Sequence, residues 1–246
     1  MVAARHPAPG GMAPPLIRLN WCASCGGGHN FGDQLGPALL RFYGYRVAWA
    51  RPASASVISV GSILSKVPDG WPGTVLGTGF IRYGLRKDLR RARVLAVRGA
   101  ATRRACHLPD RTPLGDLGVL VTDLPRTARP PIRELVLPHT VDHDMAARHP
   151  GATVIRATDP IPDILGAVAS AGIVYTSSLH GLIAADAFGV PHVLETHGDV
   201  IGGMFKFNDY ASAFGEEITP GAVRLTPRAA MADRQAELRS LVRLLR

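Results

Sequence analysis

A run of hydroxyl and imidazole side chains at residues 174–181 is the feature of this sequence that most directly suggests chemistry. It reads V-Y-T-S-S-L-H-G and leads from an apolar, strand-like segment into a helix-like one. Ser177 and Ser178 can cap that helix, whose free N–H groups and positive dipole end attract anions. His180 lies in the first turn, so its ring can donate to a phosphate or transfer a proton, although an isolated histidine also suits a structural role. We therefore expect an anion-binding site here.

Two cations elsewhere in the chain are placed to join such a site. Arg98 directly follows the apolar run Val94–Val97 and should project from the carboxyl end of a strand. A planar guanidinium at that point suits bidentate binding of a carboxylate or phosphate. Lys206 lies between aromatic residues in the run G-M-F-K-F-N-D-Y and is one of only three lysines. This pattern predicts a site for a small anion rather than for a polymer.

A glycine-rich loop follows the first predicted strand. Residues 26–33 read G-G-G-H-N-F-G-D, where glycine allows a ligand to approach the backbone and Asp33 could cap the next helix. The loop matches neither a dinucleotide-binding nor a Walker sequence, so a simple turn is the alternative. Cys22, Cys25 and His29 have the spacing C-x-x-C-x-x-x-H, but a zinc site would need a fourth ligand, and none is evident.

Two further groups of histidines and acids resemble metal ligands superficially. We interpret both as structural, because strand alternation or a strand-to-helix turn separates their members. Asp186, in the middle of a predicted helix, is interpreted as a buried structural acceptor. The groups comprise His139, Asp142, His143 and Asp144 in one case and His192, Glu195 and His197 in the other.

Short apolar or β-branched runs alternate with helix-like stretches throughout, a pattern typical of βαβ units and a parallel sheet. Strands are predicted near residues 16–21, 47–49, 57–60, 74–77, 94–97, 134–137, 153–155, 173–176 and 192–194. Helices are predicted near residues 34–43, 100–107, 142–148, 160–169, 182–188 and 228–245.

The organisation of these elements predicts an α/β fold with two Rossmann-like βαβ domains in a GT-B-like arrangement, with a ligand cleft between them. The proline-rich segment 124–133 lacks an apolar period and serves as the linker. We place a disordered lead at 1–15, an N-terminal, acceptor-side domain at 16–125 and a C-terminal, donor-side domain at 126–246. The final amphipathic helix is expected to pack back across the interface.

The composition is that of a globular protein with an excess of positive charge. The 246 residues include 28 Lys and Arg against 19 Asp and Glu, a net charge of +9 that suggests an anionic partner. Residues 82–104 alone hold nine of these cations and one acid, and we expect Arg90, Arg91, Arg103 and Arg104 among them to be solvated. No apolar run reaches the ~18 residues of a membrane span. Three cysteines give no disulfide framework and favour a reducing cytoplasm.

The ordered set of motifs resembles the polysaccharide pyruvyl transferase family from about residue 16 to 215. His29–Asp33 is similar to that family's N-F-G-D start, and Ser178–Gly181 followed by Asp186–Pro191 is similar to its most diagnostic block. Lys206 with Asp209 and Tyr210 resembles the K-x-x-D-Y of its exopolysaccharide, succinoglycan-type branch. Intermediate blocks are matched by Gly61–Leu64, Gly77–Gly79, Val97–Arg98 and Gly115–Asp116.

The resemblance implies transfer of a pyruvyl group from phosphoenolpyruvate to a sugar of a polysaccharide or glycolipid precursor, forming a cyclic ketal without metal or cofactor. It implies His180 as acid and Asp33 as base. Many members have arginine where this chain has Ser178, so one anion-binding arginine must come from elsewhere. The donor-binding residues implied are Arg98, Lys206, Ser177, Ser178, Leu179 and Gly181, and the acceptor-binding residues are Asn30, His29 and Gly79.

Two other function classes stay open on the sequence alone. A GT-B glycosyltransferase that uses a nucleotide sugar would have the same fold. A nucleic-acid-binding module is suggested by the basic run 82–104, although that run contains only one aromatic residue, Tyr83. The same run could instead dock an enzyme on anionic lipid, which would suit a lipid-linked glycan acceptor. The expected location is the cytoplasm, with peripheral association at the inner membrane face.

Overall fold

The computed structural model describes residues 14–22, 30–142, 144–196 and 201–245. Its helices are α1 (Phe31–Phe42), α2 (Ala100–Ala105), α3 (Ile161–Ala169), α4 (Leu179–Phe188), α5 (Phe205–Ala211) and α6 (Arg228–Val242). Its strands are β1 (Leu16–Asn20), β2 (Arg46–Trp49), β3 (Val57–Ile58), β4 (Thr74–Leu76), β5 (Arg93–Ala96), β6 (Ile132–Leu137), β7 (Thr153–Val154), β8 (Ala171–Thr176), β9 (His192–Leu194) and β10 (Val223–Arg224). The longest 3₁₀ helix spans Leu117–Asp123.

The strands form two five-stranded sheets. The first has the order β2-β1-β3-β4-β5 and is parallel throughout. The second has the order β10-β9-β8-β6-β7 and is parallel except for β10, which pairs antiparallel to β9. The last strand of the first sheet ends at Ala96 and the first strand of the second begins at Ile132. The α/β class with two mostly parallel sheets is therefore confirmed.

Some predicted elements differ from those observed. The helix predicted at 142–148 is only a 3₁₀ turn, Met145–Arg148. Helix α5 was not predicted, because six of its seven residues are buried and the segment has no amphipathic stripe to reveal it. Strand β10 is two residues long, too short for alternation to be visible. Each difference arises where burial on all sides or shortness removes the periodic signal.

The core is continuous between the chain segments before and after residues 124–133. The 3₁₀ helix Leu117–Asp123 packs against α1, α4 and α6, with its leucine and valine side chains fully buried. The backbone N–H of Phe31, at the start of α1, donates to the carbonyl of Ala157 at 2.7 Å. These contacts join the start of α1 to the part of the chain that forms the second sheet.

Helix α6 returns from the second half to the first. Leu238 and Val242 are fully buried on its inner face. Gln235 Nε2 donates to the carbonyl of Val119 at 2.9 Å, and Tyr45 Oη donates to the carbonyl of Val242 at 2.8 Å. The expected packing of the last helix back onto the first half is thus present. No helix in the described ranges is long and apolar enough to cross a membrane.

Acidic residues from outside the basic run at 82–104 compensate part of its positive charge. Lys87 lies 3.2 Å from Asp69, and Arg103 lies 3.2 Å from Asp110. The Arg103 side chain retains only 19% of its exposure, so it is not solvated as predicted. The arginines of the run that are exposed and have no acidic partner in the described part of the chain are Arg82, Arg86, Arg91, Arg93 and Arg104.

Candidate functional site

The edge of the second sheet where β6 and β8 end is where such a fold binds ligands. The chain order reverses between these neighbouring strands, and open α/β sheets bind ligands at the carboxyl ends of strands at such a point. His139 lies two residues beyond β6, and Ser177 directly follows β8. The backbone N–H of His139 donates to Ser177 Oγ at 2.9 Å. The two loops are therefore held together at this edge.

Helix α4 begins immediately beside them. Ser178 is its N-cap, with Oγ accepting from the N–H of Gly181 at 3.4 Å. Thr176 Oγ1 accepts from the N–H of Ser178 at 3.0 Å, and a Cβ on Gly181 would lie only 2.4 Å from that oxygen. Leu179 is buried in the core. The predicted capping role of Ser178 is confirmed, whereas contact of these residues with a donor stays a prediction.

His180 lies in the first turn of α4 with its ring almost completely buried. Among the described residues its Nε2 has no hydrogen-bond partner, and neither has Asp116 Oδ2, which lies 3.8 Å away. Burial, followed by the nearby charges of Arg98, Lys206 and His139, lowers the pKa of His180 to about 3. The ring is therefore neutral at physiological pH.

Asp116 is fully buried at the start of the 3₁₀ helix that follows it. Its Oδ1 accepts from the N–H of Gly118 at 2.8 Å, which caps that helix. Burial raises the pKa of Asp116 to about 6, against lowering by the Gly118 hydrogen bond and by Arg98. The carboxyl group is thus mostly ionised at neutral pH, with one oxygen directed at the His180 ring.

Lys206, in the first turn of α5, brings an uncompensated positive charge to this site. Its side chain is only 5% exposed, and its ammonium makes no hydrogen bond or ion pair in the part of the chain that the structure describes. The ammonium lies 5.1 Å from the centroid of the Phe207 ring. Burial, followed by the charge of Arg98, lowers the pKa of Lys206 to about 8.

Arg98 follows β5 as predicted, but its guanidinium is completely buried and bound by protein groups. Its Nε donates to Asp209 Oδ2 at 3.1 Å, Nη1 to Ser62 Oγ at 2.7 Å and Nη2 to the carbonyl of Phe80 at 2.5 Å. Asp209 also accepts from the N–H and hydroxyl of Thr102 at 2.8 and 2.6 Å. Arg98 therefore joins β5 to α5, and its positive charge acts electrostatically on His180.

Two glycines from the predicted acceptor side touch these groups. A Cβ on Gly32 would lie 2.1 Å from Nδ1 of His180. A Cβ on Gly79 would lie 2.7 Å from Cζ of Arg98 and 2.9 Å from Asp209 Oδ2. Both positions therefore require glycine for steric reasons. The N-F-G-D segment and the His180 ring, distant in sequence, are in direct contact.

The start of α1 places two further predicted residues. Asn30, not Asp33, is the N-cap, with its Oδ1 accepting from the N–H of Gly32 at 3.0 Å. Asp33 lies in the first turn, where burial raises its pKa to about 6 while Lys66 opposes the rise. His29 lies outside the described residues. Their contact with an acceptor stays a prediction.

The residues interpreted as structural divide into two groups. Asp186 is confirmed as a buried acceptor, since it accepts from Tyr210 Oη at 3.0 Å and forms an ion pair with Arg224. His192 is fully buried, with Nδ1 3.1 Å from the carbonyl of Val190, as expected of a structural histidine. His139 differs, because Lys206 contributes to lowering its pKa, after burial. It belongs to the same charged cluster as His180.

Sequence reasoning missed Asp116 and His139 as site residues. Asp116 belongs to the G-D motif of the sequence, and that motif is the available signal. Among the described residues no three metal-ligating side chains converge. Cys22 is disulfide-bonded, contrary to the expectation that the chain has no disulfide framework. His143, Cys25 and His197 lie outside the described residues.

Comparison with known proteins agrees with this geometry. The chain is 28% identical over 215 residues to "Succinoglycan biosynthesis protein ExoV" of Rhizobium meliloti (strain 1021). That match covers 81% of this chain and 66% of the relative, so the chain spans just under two thirds of the relative's length. Residues 16–198 match the family described as polysaccharide pyruvyl transferase, across strands of both sheets and through His180. The chain therefore belongs to the polysaccharide pyruvyl transferase family.

Proposed function

We propose that this chain transfers the pyruvyl group of phosphoenolpyruvate to a sugar of a polysaccharide or glycolipid precursor, with formation of a cyclic ketal. The observation that carries the proposal is the positive charge of Lys206. This residue is only 5% exposed, its ammonium has no partner among the described residues, and it lies near His180 at the start of α4. A buried cation without a counter-charge is costly. A small ligand with a phosphate and a carboxylate supplies the missing negative charge.

The donor is held by the amino end of α4 and by Lys206. Ser177, Ser178, Leu179 and Gly181 shape this helix start, whose unpaired N–H groups favour an anion. Arg98 contributes without direct contact to the donor, because its guanidinium is bound by Asp209, Ser62 and Phe80 and has no exposed surface. Its positive charge therefore attracts the donor without touching it. This charge compensates for the arginine that many family members have at the position of Ser178.

The reaction begins with proton transfer from His180 to the methylene carbon of the donor. In the empty site the pKa of His180 is about 3, lowered in part by Arg98 and Lys206. A bound dianion or trianion neutralises those cations, so the ring gains a proton only when the donor is present. This coupling prevents the acid from being charged in the absence of its substrate.

The carbon left electron-deficient is then attacked by a sugar hydroxyl. Asp33 takes the hydroxyl proton, for which its pKa of about 6 is suited near neutral pH. The C–O bond to the phosphate then breaks, a second hydroxyl of the same sugar closes the ketal, and its proton is taken by the phosphate, which leaves as inorganic phosphate. Asn30, His29 and Gly79 are proposed to face the acceptor. The step requires no metal or cofactor.

The exposed arginines Arg82, Arg86 and Arg91 support a peripheral association with anionic membrane. They flank Tyr83, which is 70% exposed and packs edge-on against Phe205 at 4.7 Å, next to Lys206 in sequence. A lipid-linked acceptor bound there would deliver its sugar close to the donor site. Flotation with anionic and with neutral vesicles tests this, and equal recovery with both would exclude it.

Donor and acceptor specificity are tested together. The protein is incubated with phosphoenolpyruvate and candidate glycans while phosphate release and the mass of the glycan are followed. Phosphoenolpyruvate alone should raise the melting temperature, since a ligand that binds only the native state stabilises it. Stabilisation by a nucleotide sugar, with none by phosphoenolpyruvate, would instead identify a glycosyltransferase.

A further inference from the structure

We propose that Asp116 is a positioning residue for His180, holding the proton on Nε2 so that Nδ1 is the nitrogen presented to the donor. The inference rests on the proposed function for its chemical consequence, but the arrangement itself is defined by side chains alone. It assigns a task to the second oxygen of a buried carboxylate whose first oxygen caps a helix.

The inference starts from two polar atoms that face each other, each of which lacks a hydrogen-bond partner among the described residues. Within the part of the chain that the structure describes, Asp116 Oδ2 and His180 Nε2 are both buried without a hydrogen-bond partner, and they are 3.8 Å apart. This distance exceeds a hydrogen bond, but catalytic hydrogen bonds are often long before substrate binds and tighten afterwards. Buried polar atoms are normally paired, so the two vacancies are best explained by each other.

Capping alone does not account for an aspartate at this position. Oδ1 of Asp116 already accepts from the N–H of Gly118, which satisfies the start of the 3₁₀ helix. A serine or asparagine would cap equally well without burying a second oxygen. The surplus oxygen, Oδ2, is the one directed at His180. A carboxylate is required only if that oxygen has a partner.

The ring of His180 is confined on both sides, which fixes the direction of each nitrogen. Nδ1 lies against Gly32, and a Cβ on Gly118 would be 3.5 Å from Cδ2. The side chain retains 11% of its exposure although Nε2 is fully buried, so its accessible part is not Nε2. Nδ1 is then the nitrogen that can exchange a proton with a ligand. A carboxylate on the far nitrogen selects the tautomer, as second partners of functional histidines do.

The charges around the ring make this carboxylate important. Arg98, Lys206 and His139 face His180 and all disfavour its protonation. Asp116 is the anionic group whose oxygen lies nearest to the ring. When a donor neutralises the cations, the imidazolium forms with its Nε2 proton on Asp116 and its Nδ1 proton directed at the methylene carbon. After transfer the ring is again neutral, with the Nε2 proton retained.

The first experiment compares Asp116→Asn and Asp116→Ser, which both keep a capping oxygen for Gly118. Both should lower kcat by about 10- to 100-fold, with KM for phosphoenolpyruvate close to the wild-type value. The alkaline limb of the kcat profile should move down by at least about 1 pH unit, because the anion that favours the imidazolium has gone. Asp123→Asn, in the same 3₁₀ helix but bound to Arg239, is the matched control and should leave the limb in place. Near-normal kcat in both Asp116 variants, or an unmoved limb, would overturn the proposal.

The second experiment needs no substrate and separates this inference from the proposed function. Ring ¹⁵N spectra of histidine-labelled protein, assigned with His180→Gln, report which nitrogen of His180 carries the proton at pH 7.5. We expect Nε2–H in the wild type and a shift toward Nδ1–H in Asp116→Asn. A wild-type Nδ1–H tautomer would overturn the positioning role even in an active enzyme. An Nε2–H tautomer in a protein that does not consume phosphoenolpyruvate would support the positioning and reject only the proposed function.

Discussion

Helix α4 carries a buried polar cluster at each end, and the two clusters differ in one respect. Each combines a histidine, a carboxylate and a cation. At the carboxyl end Asp186 binds Tyr210 and Arg224, Arg224 also binds Glu216, and His192 lies against a backbone carbonyl. At the amino end the facing atoms of His180 and Asp116 and the ammonium of Lys206 have no hydrogen-bond partner among the described residues.

The comparison teaches that burial of charge does not by itself indicate function. The carboxyl-end cluster is closed, since its groups satisfy one another and leave nothing for a ligand. The amino-end cluster is open, and the groups it leaves unpaired are those that a small anion and a proton transfer require. Mutations should therefore affect stability at one end and turnover at the other.

The largest effect is expected from His180→Ala. Loss of the proton donor should reduce phosphate release per folded molecule by about 100- to 10,000-fold. His192→Ala is the matched control at the closed end and should lower the melting temperature but preserve turnover per folded molecule. Near-normal turnover of His180→Ala would remove this residue from the reaction.

Asp186→Ala tests the closed cluster from the other side. It leaves Tyr210 and Arg224 without their shared acceptor in the interior, and should lower the free energy of unfolding by about 3 kcal/mol. Urea unfolding followed by circular dichroism measures this. At temperatures where the variant is folded, its KM for phosphoenolpyruvate should match the wild type. A tenfold change in KM would show that the two ends of α4 are not independent.

Gly32→Ala should damage the open cluster without removing any of its functional groups. The added methyl would lie 2.1 Å from His180 Nδ1, so the ring has to move. Displacement of a catalytic group by about 1 Å can cost about 100-fold in rate. Gly36→Ala, one turn later in α1, serves as control, because the nearest atom to its added methyl would be Ser59 Oγ at 3.1 Å. Equal rates for the two variants would argue against His180 acting from this position.

Lys206→Met separates binding from stability. The free energy of unfolding should stay constant or rise, because a buried ammonium without a partner is replaced by an apolar side chain. Stabilisation by phosphoenolpyruvate should fall, with KM rising about 10-fold or more. A marked loss of stability together with unchanged KM would mean that Lys206 is a structural residue instead.

The smallest expected effect is on pH dependence. The pKa of Lys206 is about 8 in the fold, below its ordinary value, so its charge is present at pH 7 and lost as pH rises through 8. Phosphoenolpyruvate should therefore raise the melting temperature less at pH 9 than at pH 7. Stability of the ligand-free protein receives the opposite contribution, because the unfolded chain keeps the proton up to the ordinary pKa of 10.5. Folding is therefore increasingly penalised as pH falls from 10.5 to about 8, and the penalty is constant below that. Lys206→Met should lose both dependences.

The sequence reveals the elements whose signal is local. All nine strands predicted from apolar runs are present, and Arg98 follows β5 as expected. The partner of Arg98 could not be predicted, because Asp209 lies 111 residues away on a helix without an amphipathic pattern. The proximity of Asp116 to His180 could not be predicted either, because the two residues are distant in sequence. Motif reasoning identified His180 and Lys206 but not which of their atoms lack partners, since that depends on packing.

Helix α6 has a consequence for anyone who shortens or extends this protein. None of its residues is among those proposed to bind donor or acceptor. It nevertheless packs against the 3₁₀ helix Leu117–Asp123, which follows Asp116, and Gln235 donates a hydrogen bond to the carbonyl of Val119. Removing residues 228–245 would uncover the apolar side chains of that helix and free it to shift. Activity should then disappear although every proposed catalytic group is still encoded, so a deletion at this end would mimic an active-site lesion.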